Sequence, residues 1–377
     1  MKTALIKINS REHSVFIGER VFIEINNFLA QKKYTDSTFF ILADENTCKH
    51  CLPVIRNKVP ELSKAVLIKI KSGEENKNIG TCMQVWEELS KNNADRKSVL
   101  ISLGGGVTSD LGGFIASTYK RGIDFITIPT TLLAQVDASI GGKSGIDFKN
   151  IKNEIGVFSF PKAVFIYTGF LKTLDDRQLL SGFAEIIKHA LISDKNYWKK
   201  IMLSNDFEKW ITPSVKIKIK IITGDPYEKN IRKKLNFGHT IGHAIESFSL
   251  ANDKNKLLHG EAIAIGMVCE SYLSFKEKLL VKKDLEEITA FILSKYKPYD
   301  MNRSSENKII RLMLHDKKNE AGKINFTLLK GIGNALINRH CDTKSIKESF
   351  NYYRSNYYKR GEFTHSSSFS SFPTHIP

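Results

Sequence analysis

Three histidines carry the first chemical signal. His239 and His243 stand four apart in residues 236–246 (Asn-Phe-Gly-His-Thr-Ile-Gly-His-Ala-Ile-Glu), and His259 follows a polar loop, in residues 258–261 (Leu-His-Gly-Glu). Side chains four apart share a helix face, so His239 and His243 are placed to project into one site. The apolar run at 262–269 reads as a second, buried helix. Two histidines from different helices, joined by a carboxylate from elsewhere, make a three-ligand centre with open positions, the usual form of a catalytic zinc. The spacing alone fits equally well with histidines satisfied by local hydrogen bonds. A candidate carboxylate lies in the apolar helical run 179–189, where Glu185 and Lys188 sit among residues that read as buried. A charge on such a face needs a partner or a metal, because burying it alone is costly.

A second group of residues suits anions. The strand-like run 98–102 leads into residues 104–110 (Gly-Gly-Gly-Val-Thr-Ser-Asp), and Leu-Gly-Gly-Phe then opens a helix. Glycines between a strand and a helix N-terminus let backbone N–H groups approach a pyrophosphate, where the helix dipole also favours negative charge. The pattern differs from G-x-G-x-x-G, so a tight turn that needs small residues for packing is the alternative. Asp44, after an earlier strand, stands where a ribose-binding carboxylate is expected, and equally where a helix cap would be. Residues 129–143 mix hydroxyl, carboxylate, double-glycine and lysine groups without helical or strand periodicity, which marks a site rather than a core. Arg121, Lys143, Lys152 and Asn153 are candidates to converge on phosphate or carboxylate oxygens, with solvated surface as the alternative for each basic residue.

Positioning these groups falls to two kinds of element. Strand-like runs at 39–43, 65–68, 98–102, 125–128 and 163–166 alternate with helical or glycine-rich segments, which predicts a Rossmann-like α/β domain with a mostly parallel sheet. Residues 1–20 read as a further strand. From about residue 175 helical periodicity takes over, at 177–193, 195–222, 237–250, 259–279, 281–296 and 305–316. A hairpin-like piece at 323–329 ends at Gly331-Ile-Gly333, and the tail rich in Ser, Phe, Pro and His reads as disordered. The expected division is a domain at 1–174, an α-helical domain at 175–355 and a tail at 356–377.

The chain's 377 residues are enough for two cores. Its net charge of +17 fits a polyanionic substrate, nucleic acid or a lysine-rich surface. The lysines are dispersed, with no aromatic platform or basic helix, so nucleic acid is not expected. Five cysteines argue against a disulfide framework, and the Cys48/Cys51 pair lacks the second pair a zinc knuckle needs. No apolar run reaches the roughly 18 residues of a membrane span. With no signal-like core at the N-terminus, the expectation is a cytoplasmic protein without a membrane partner.

In order, and from about residue 15 to 350, the chain resembles the 3-dehydroquinate synthase family. The matching motifs are residues 72–77 (Ser-Gly-Glu-Glu-Asn-Lys), 104–110, 121–123, 129–143, 181–191, 235–246, 258–261 and 315–318 (His-Asp-Lys-Lys). The resemblance implies NAD on the Rossmann-like domain, Zn2+ (or Co2+) on the helical domain, and a homodimer. It implies metal ligands Glu185, His239 and His259, and makes His243 a substrate-side group. It implies NAD contacts from Asp44, Glu74, Lys77, Gly105, Gly106, Asp110, Thr130, Thr131 and Lys172, with Lys143 and Lys152 close to the cofactor as well. Implied substrate contacts are Arg121, Asp137, Lys143, Lys152, Asn153, Lys188, Lys218, Arg232 and Asn236.

The family's reaction is a shikimate-pathway step toward aromatic amino acids. It converts the sugar phosphate 3-deoxy-D-arabino-heptulosonate 7-phosphate to 3-dehydroquinate and phosphate. Oxidation at carbon 5, phosphate elimination, re-reduction, ring opening and aldol closure follow in turn. The chain departs from the family pattern at Ile151 (usually Gly), Tyr167 (commonly Asp), Pro226 and Asn230 (Glu and Gly) and Asn325 (often basic), changes that bear on loop geometry and affinity. A sibling sugar-phosphate cyclase would share NAD and metal but differ in the substrate lysines and arginines. A polyol dehydrogenase has no need of Arg121, Lys143, Lys152 and Arg232. A non-catalytic anion-binding module would account for the charge but not for the three metal-ligand candidates.

Overall fold

The structure is a computed structural model that describes residues 5–10, 13–149, 151–204, 206–314 and 324–364, with side chains through Tyr357. Its contacts divide the chain into two compact units, Met1–Leu235 and Asn236–Pro377.

The first unit opens with β1 (Ile6–Asn9) and β2 (Ser14–Ile17), paired antiparallel. The single strand expected over 1–20 is thus a hairpin, because the Ser10 hydroxyl and backbone clasp His13 and turn the chain. Then come α1 (Val21–Leu29), β3 (Phe39–Asp44), α2 (Glu45–His50), α3 (Leu52–Lys58) and β4 (Val66–Ile70). Next are α4 (Ile79–Lys91), β5 (Val99–Gly104), α5 (Gly106–Thr118) and β6 (Asp124–Pro129). A π-helical turn, Ala134–Ala138, leads to β7 (Lys143–Phe148) and β8 (Ile151–Phe158), which form a separate antiparallel hairpin. β9 (Ala163–Ile166) returns to the main sheet, and α6 (Asp176–Ser193), α7 (Lys195–Met202) and α8 (Phe207–Gly224) complete the unit.

The main sheet has the order β1-β2-β9-β6-β5-β3-β4, parallel except for β1. Successive residues of a strand face opposite sides, so Ile41 and Ile101 pack toward α1 and α3 while Phe40, Leu42 and Leu100 pack toward α4 and α5. The two cores require the nearly continuous apolar strands that made the sheet readable. β4 lies outside β3 whereas β5 lies on its other side, so the strand order reverses between β3 and β5. Ligands of open α/β sheets bind beyond the strand C-termini at such a reversal.

The five expected strands fall where the apolar runs placed them, to within a residue or two. The β7–β8 hairpin was not expected. Its strands carry Gly145, Asp147, Asn153 and Gly156, and most of β8 is exposed, so no alternating apolar face announces it. The helix expected over 195–222 is two helices. Asp206 caps α8 by accepting from the Lys209 N–H, and Leu203 and Ser204 form the break. Strands end at Ile166 in this unit, but its contacts continue through the helices to Leu235 rather than ending near residue 174.

The second unit holds α9 (His239–Asn252), α10 (His259–Lys276), α11 (Lys282–Lys295) and α12 (Arg303–Leu314), then the hairpin β10 (Asn325–Leu329) with β11 (Ala335–His340) and α13 (Thr343–Thr364). α10 is apolar on nearly every side and forms the unit's centre, packed by α9, α11, α13 and β10. α13 runs past residue 356, where the disordered tail was expected to begin. Its Ile346, Phe350 and Tyr353 are buried, which anchors the helix. The 315–318 motif and the end of the tail lie outside the described residues. No described helix is long and apolar enough to cross a membrane.

Candidate active site

Beyond the β3/β5 reversal lie the residues expected to meet a nucleotide. Asp44 ends β3 and caps α2, its Oδ1 accepting from the Thr47 N–H at 2.8 Å. Gly105 and Gly106 begin α5, and a Cβ on Gly105 would come within 3.0 Å of the Thr131 methyl group. That close cradle, at the N-terminus of a helix of 13 residues, fits a nucleotide's phosphates. Thr130 is buried after β6, and its N–H donates to the Gly104 carbonyl at 2.9 Å. Lys172 is exposed in the 3-10 turn Thr168–Thr173.

Lys77 is 3% exposed and pairs with Glu74 at 2.5 Å, Asp147 at 3.4 Å and Asp110 at 3.5 Å. Lys152 joins the same network through Glu74, at 2.8 Å. Burial disfavours the Lys77 ammonium, but the Glu74 and Asp110 charges outweigh it and raise the pKa. Burial likewise lifts the Asp110 carboxyl to about 6 against the pull of Lys77. Ile151 opens β8, and positive φ is adopted nearby by Lys149, 47°, after β7, and by Asn153, 51°, inside β8 where the hairpin's register shifts.

A second polar centre gathers on Asp137, in the π-helical turn. Lys218 of α8 donates to both the Asp137 carboxylate and its backbone carbonyl at 2.6 Å. Lys188 of α6 lies 3.9 Å from the carboxylate and also pairs with Glu185, itself fully buried one helical turn earlier. His189 places Nε2 3.6 Å from Asp137, and its Nδ1 meets the Ser214 hydroxyl at 3.1 Å. Burial would raise the Asp137 carboxyl, but Lys218 and Lys188 hold it well below the usual carboxylate range. Burial, opposed by Asp137, depresses Lys218. Arg232 is buried, pushed down to about 10, and attracted to Asp137; its guanidinium donates to the Pro226 carbonyl. Lys143 is paired with Glu228. Arg121 stands apart. It is exposed in the turn after α5, so roughly 20 Å of helix separates it from Gly106.

In the second unit, His239, His243 and His259 do converge. Their ring centroids are 5.0, 5.6 and 5.8 Å apart, and one nitrogen from each lies within 4.8 Å of the others. His239 Nδ1 is 3.1 Å from the Phe237 carbonyl, and His259 Nδ1 is 3.1 Å from the Glu246 carboxylate. Both partners accept only, so each Nδ1 carries the proton, and in the neutral ring Nε2 is the lone-pair nitrogen that a metal takes. This donor set fits a divalent ion. Two buried carboxylates that sequence reasoning missed hold the frame. Glu246 orients His259, while Glu270, fully buried on α10, accepts from the Gly238 and Ile241 N–H groups at 2.7 and 3.0 Å. Glu270 thereby caps α9 where His239 begins it, a place the dipole favours for a carboxylate. Glu246 could have been picked out as an acidic residue one heptad after His239 on an apolar face. The helices α9 and α10 meet backbone to backbone: a Cβ on Gly266 would lie 2.0 Å from the Gly238 carbonyl oxygen. Asn236 precedes this unit's first helix, and Asn325 faces Asn338 across the β10–β11 hairpin at 3.2 Å.

The whole chain shares its fold with sugar-phosphate cyclases. A 2-deoxy-scyllo-inosose synthase structure, solved with carbaglucose-6-phosphate, NAD+ and Co2+, matches with a TM-score of 0.80 at 23% identity, over 93% of this chain and 99% of that one. Within that class, the chain belongs to the 3-dehydroquinate synthase family: the family's N-terminal pattern matches residues 67–181 and its C-terminal pattern residues 182–319. A 3-dehydroquinate synthase of Parabacteroides distasonis is 42% identical over 353 residues, 92% of this chain and 99% of the relative. One of Helicobacter pylori is 40% identical over 354 residues, 92% of this chain and 98% of the relative.

Proposed function

We propose that this enzyme converts 3-deoxy-D-arabino-heptulosonate 7-phosphate to 3-dehydroquinate and phosphate, as a phosphate-eliminating lyase that uses NAD and a divalent metal. The observation that supports it best is the set of buried cations, Lys188, Lys218 and Arg232, drawn to Asp137 and answered also by Glu185 and Asp225. Buried cations held by exchangeable carboxylates suit a substrate that brings both a carboxylate and a phosphate.

The division of labour places nucleotide binding within 1–174 and the metal within 175–355, with substrate groups drawn from both. Glu185, His239 and His259 would hold the metal, and the residues around Gly105, Lys77 and Asp44 the NAD. When bound, NAD would take and return a hydride at carbon 5, and the metal would polarise the substrate's hydroxyl and carbonyl oxygens. Lys188, Lys218, Arg232 and Lys143 bind and orient the anionic groups, with Asn236 beside them as a polar contact. Asp137 keeps Lys218 charged and fixed until substrate oxygens share it. His243, with Lys152 and Asn153, is the group suited to move a proton at the reacting hydroxyl, because imidazole titrates near neutral pH. Arg121, exposed in the turn at the far end of α5, is kept as a further contact for the anionic substrate. The protein works in the cytoplasm as a homodimer, without nucleic-acid or membrane partners.

The test is phosphate release from this sugar phosphate with NAD and Zn2+ or Co2+ added, repeated after chelation. Metal-dependent release with no accumulating NADH is expected. Sustained NADH formation from glycerol would make the chain a polyol dehydrogenase. Turnover of glucose 6-phosphate instead would make it a sibling cyclase.

A further inference from the structure

We propose that Asp147 is a positioning residue that couples the lysine network at the nucleotide site to the hairpin carrying Lys152 and Asn153. The inference rests on the reading above, in which Glu74, Lys77 and Asp110 meet NAD while Lys152 and Asn153 serve the substrate. Asp147 sits near the end of β7, mostly buried at 18% side-chain exposure. Its Oδ1 does two things at once. It accepts the Asn153 N–H at 2.8 Å, and it faces the Lys77 ammonium at 3.4 Å. Its own backbone N–H donates to the Lys77 carbonyl at 2.8 Å.

These contacts close a circuit. Lys77 holds Asp147, Asp147 holds the backbone of Asn153, the next residue back is Lys152, and Lys152 returns through Glu74 to Lys77. Asn153 has φ +51°, a left-handed conformation that costs a non-glycine residue energy unless a neighbour holds it. Asp147 is that neighbour, and it holds Asn153 where the register of the hairpin shifts. Any ligand that draws on Lys77 or Glu74 therefore acts on the position of Lys152. Nucleotide occupancy and the geometry of the proton-moving groups are linked through one carboxylate.

The experiment uses the full chain with NAD and metal present. The variants are Asp147→Ala, Asp147→Asn, Lys152→Ala and the double variant Asp147→Ala/Lys152→Ala. The backbone bond from residue 147 to Lys77 survives every substitution, so the hairpin keeps a tether. Asp147→Ala is expected to lower kcat/KM for the sugar phosphate about tenfold or more, while the Kd for NAD stays within about threefold. Asp147→Asn keeps an acceptor for the Asn153 N–H but loses the charge that faces Lys77, so it should recover only part of the loss. In the double variant the two losses should not multiply, because Asp147 acts through Lys152. Multiplying losses, or an Asp147→Asn variant equal to the unaltered chain, would overturn the coupling. If Lys152→Ala lowers kcat/KM and Asp147→Ala does not, this inference fails and the functional reading stands. If Lys152→Ala has no effect, both fail together.

Discussion

The centre on Asp137 in the first unit and the histidine trio in the second solve the same problem, holding reactive groups in an apolar surrounding, by opposite means. Around Asp137 the charges answer one another: Lys218 and Lys188 reach the carboxylate, and Lys188 also reaches Glu185. The second centre is built of three imidazole rings. Its order comes from outside the rings, through the Phe237 carbonyl and the Glu246 carboxylate, and through Glu270 at the start of α9. A charged cluster of the first kind is built to exchange partners with an anionic substrate. A cluster of the second kind offers ring nitrogens to a cation.

Removing one of the proposed metal ligands should have the largest effect. His239→Ala or His259→Ala, and Glu185→Ala with them, are expected to abolish stoichiometric zinc while leaving NAD binding largely intact, as read by metal analysis and nucleotide titration. A variant retaining both zinc and activity would sink the assigned ligand set. Next in size is Asp137→Ala, which strands Lys218 and Lys188 in a buried place. We expect a loss of about 3 kcal/mol or more in urea unfolding. A loss under about 1 kcal/mol would mean that water, not Asp137, satisfies the lysines. Glu246→Gln keeps the size of the side chain but removes the charge behind His259. Metal affinity should weaken about 10- to 100-fold, measured by competition with a chelating dye, and unchanged affinity would place His259 outside the metal's ligands.

The smallest expected effect concerns pH. His13 is buried, and burial together with the Lys218 charge lowers its pKa to about 4. The unfolded chain binds a proton near pH 6.5 that the folded chain refuses until about 4, so stability falls as pH drops through that window. His13→Gln should flatten this decline by about 1 to 2 kcal/mol between pH 7 and pH 5. An identical slope in the variant would show that burial does not hold the His13 ring neutral in the folded chain.

Much of this was legible because its signals are local. The strands from Phe39 to Ile166 announce themselves as unbroken apolar runs, since both faces of the sheet are covered. The helix pair of the histidines shows in the four-residue spacing of His239 and His243. What escaped depends on tertiary neighbours. The β7–β8 hairpin has no apolar alternation, Asp147 looks like any turn aspartate until Lys77 is beside it, and Glu270 reads as one polar residue in an apolar helix until the Gly238 N–H is found above it. Arg121 shows the reverse case: its motif is intact, and it stands in the exposed turn at the far end of α5 from Gly106.

The contact at Gly266 carries one more consequence. With the Gly238 carbonyl against it, the spacing of α9 and α10 has no slack, and the ring nitrogens those helices carry are set apart by a backbone gauge rather than by adjustable side chains. A single methyl group there would pry the helices open and lengthen the spans from His259 to His239 and to His243, while the span between His239 and His243, both on α9, would stay as it is. The glycine thereby sets how closely the ring of α10 approaches the two rings of α9.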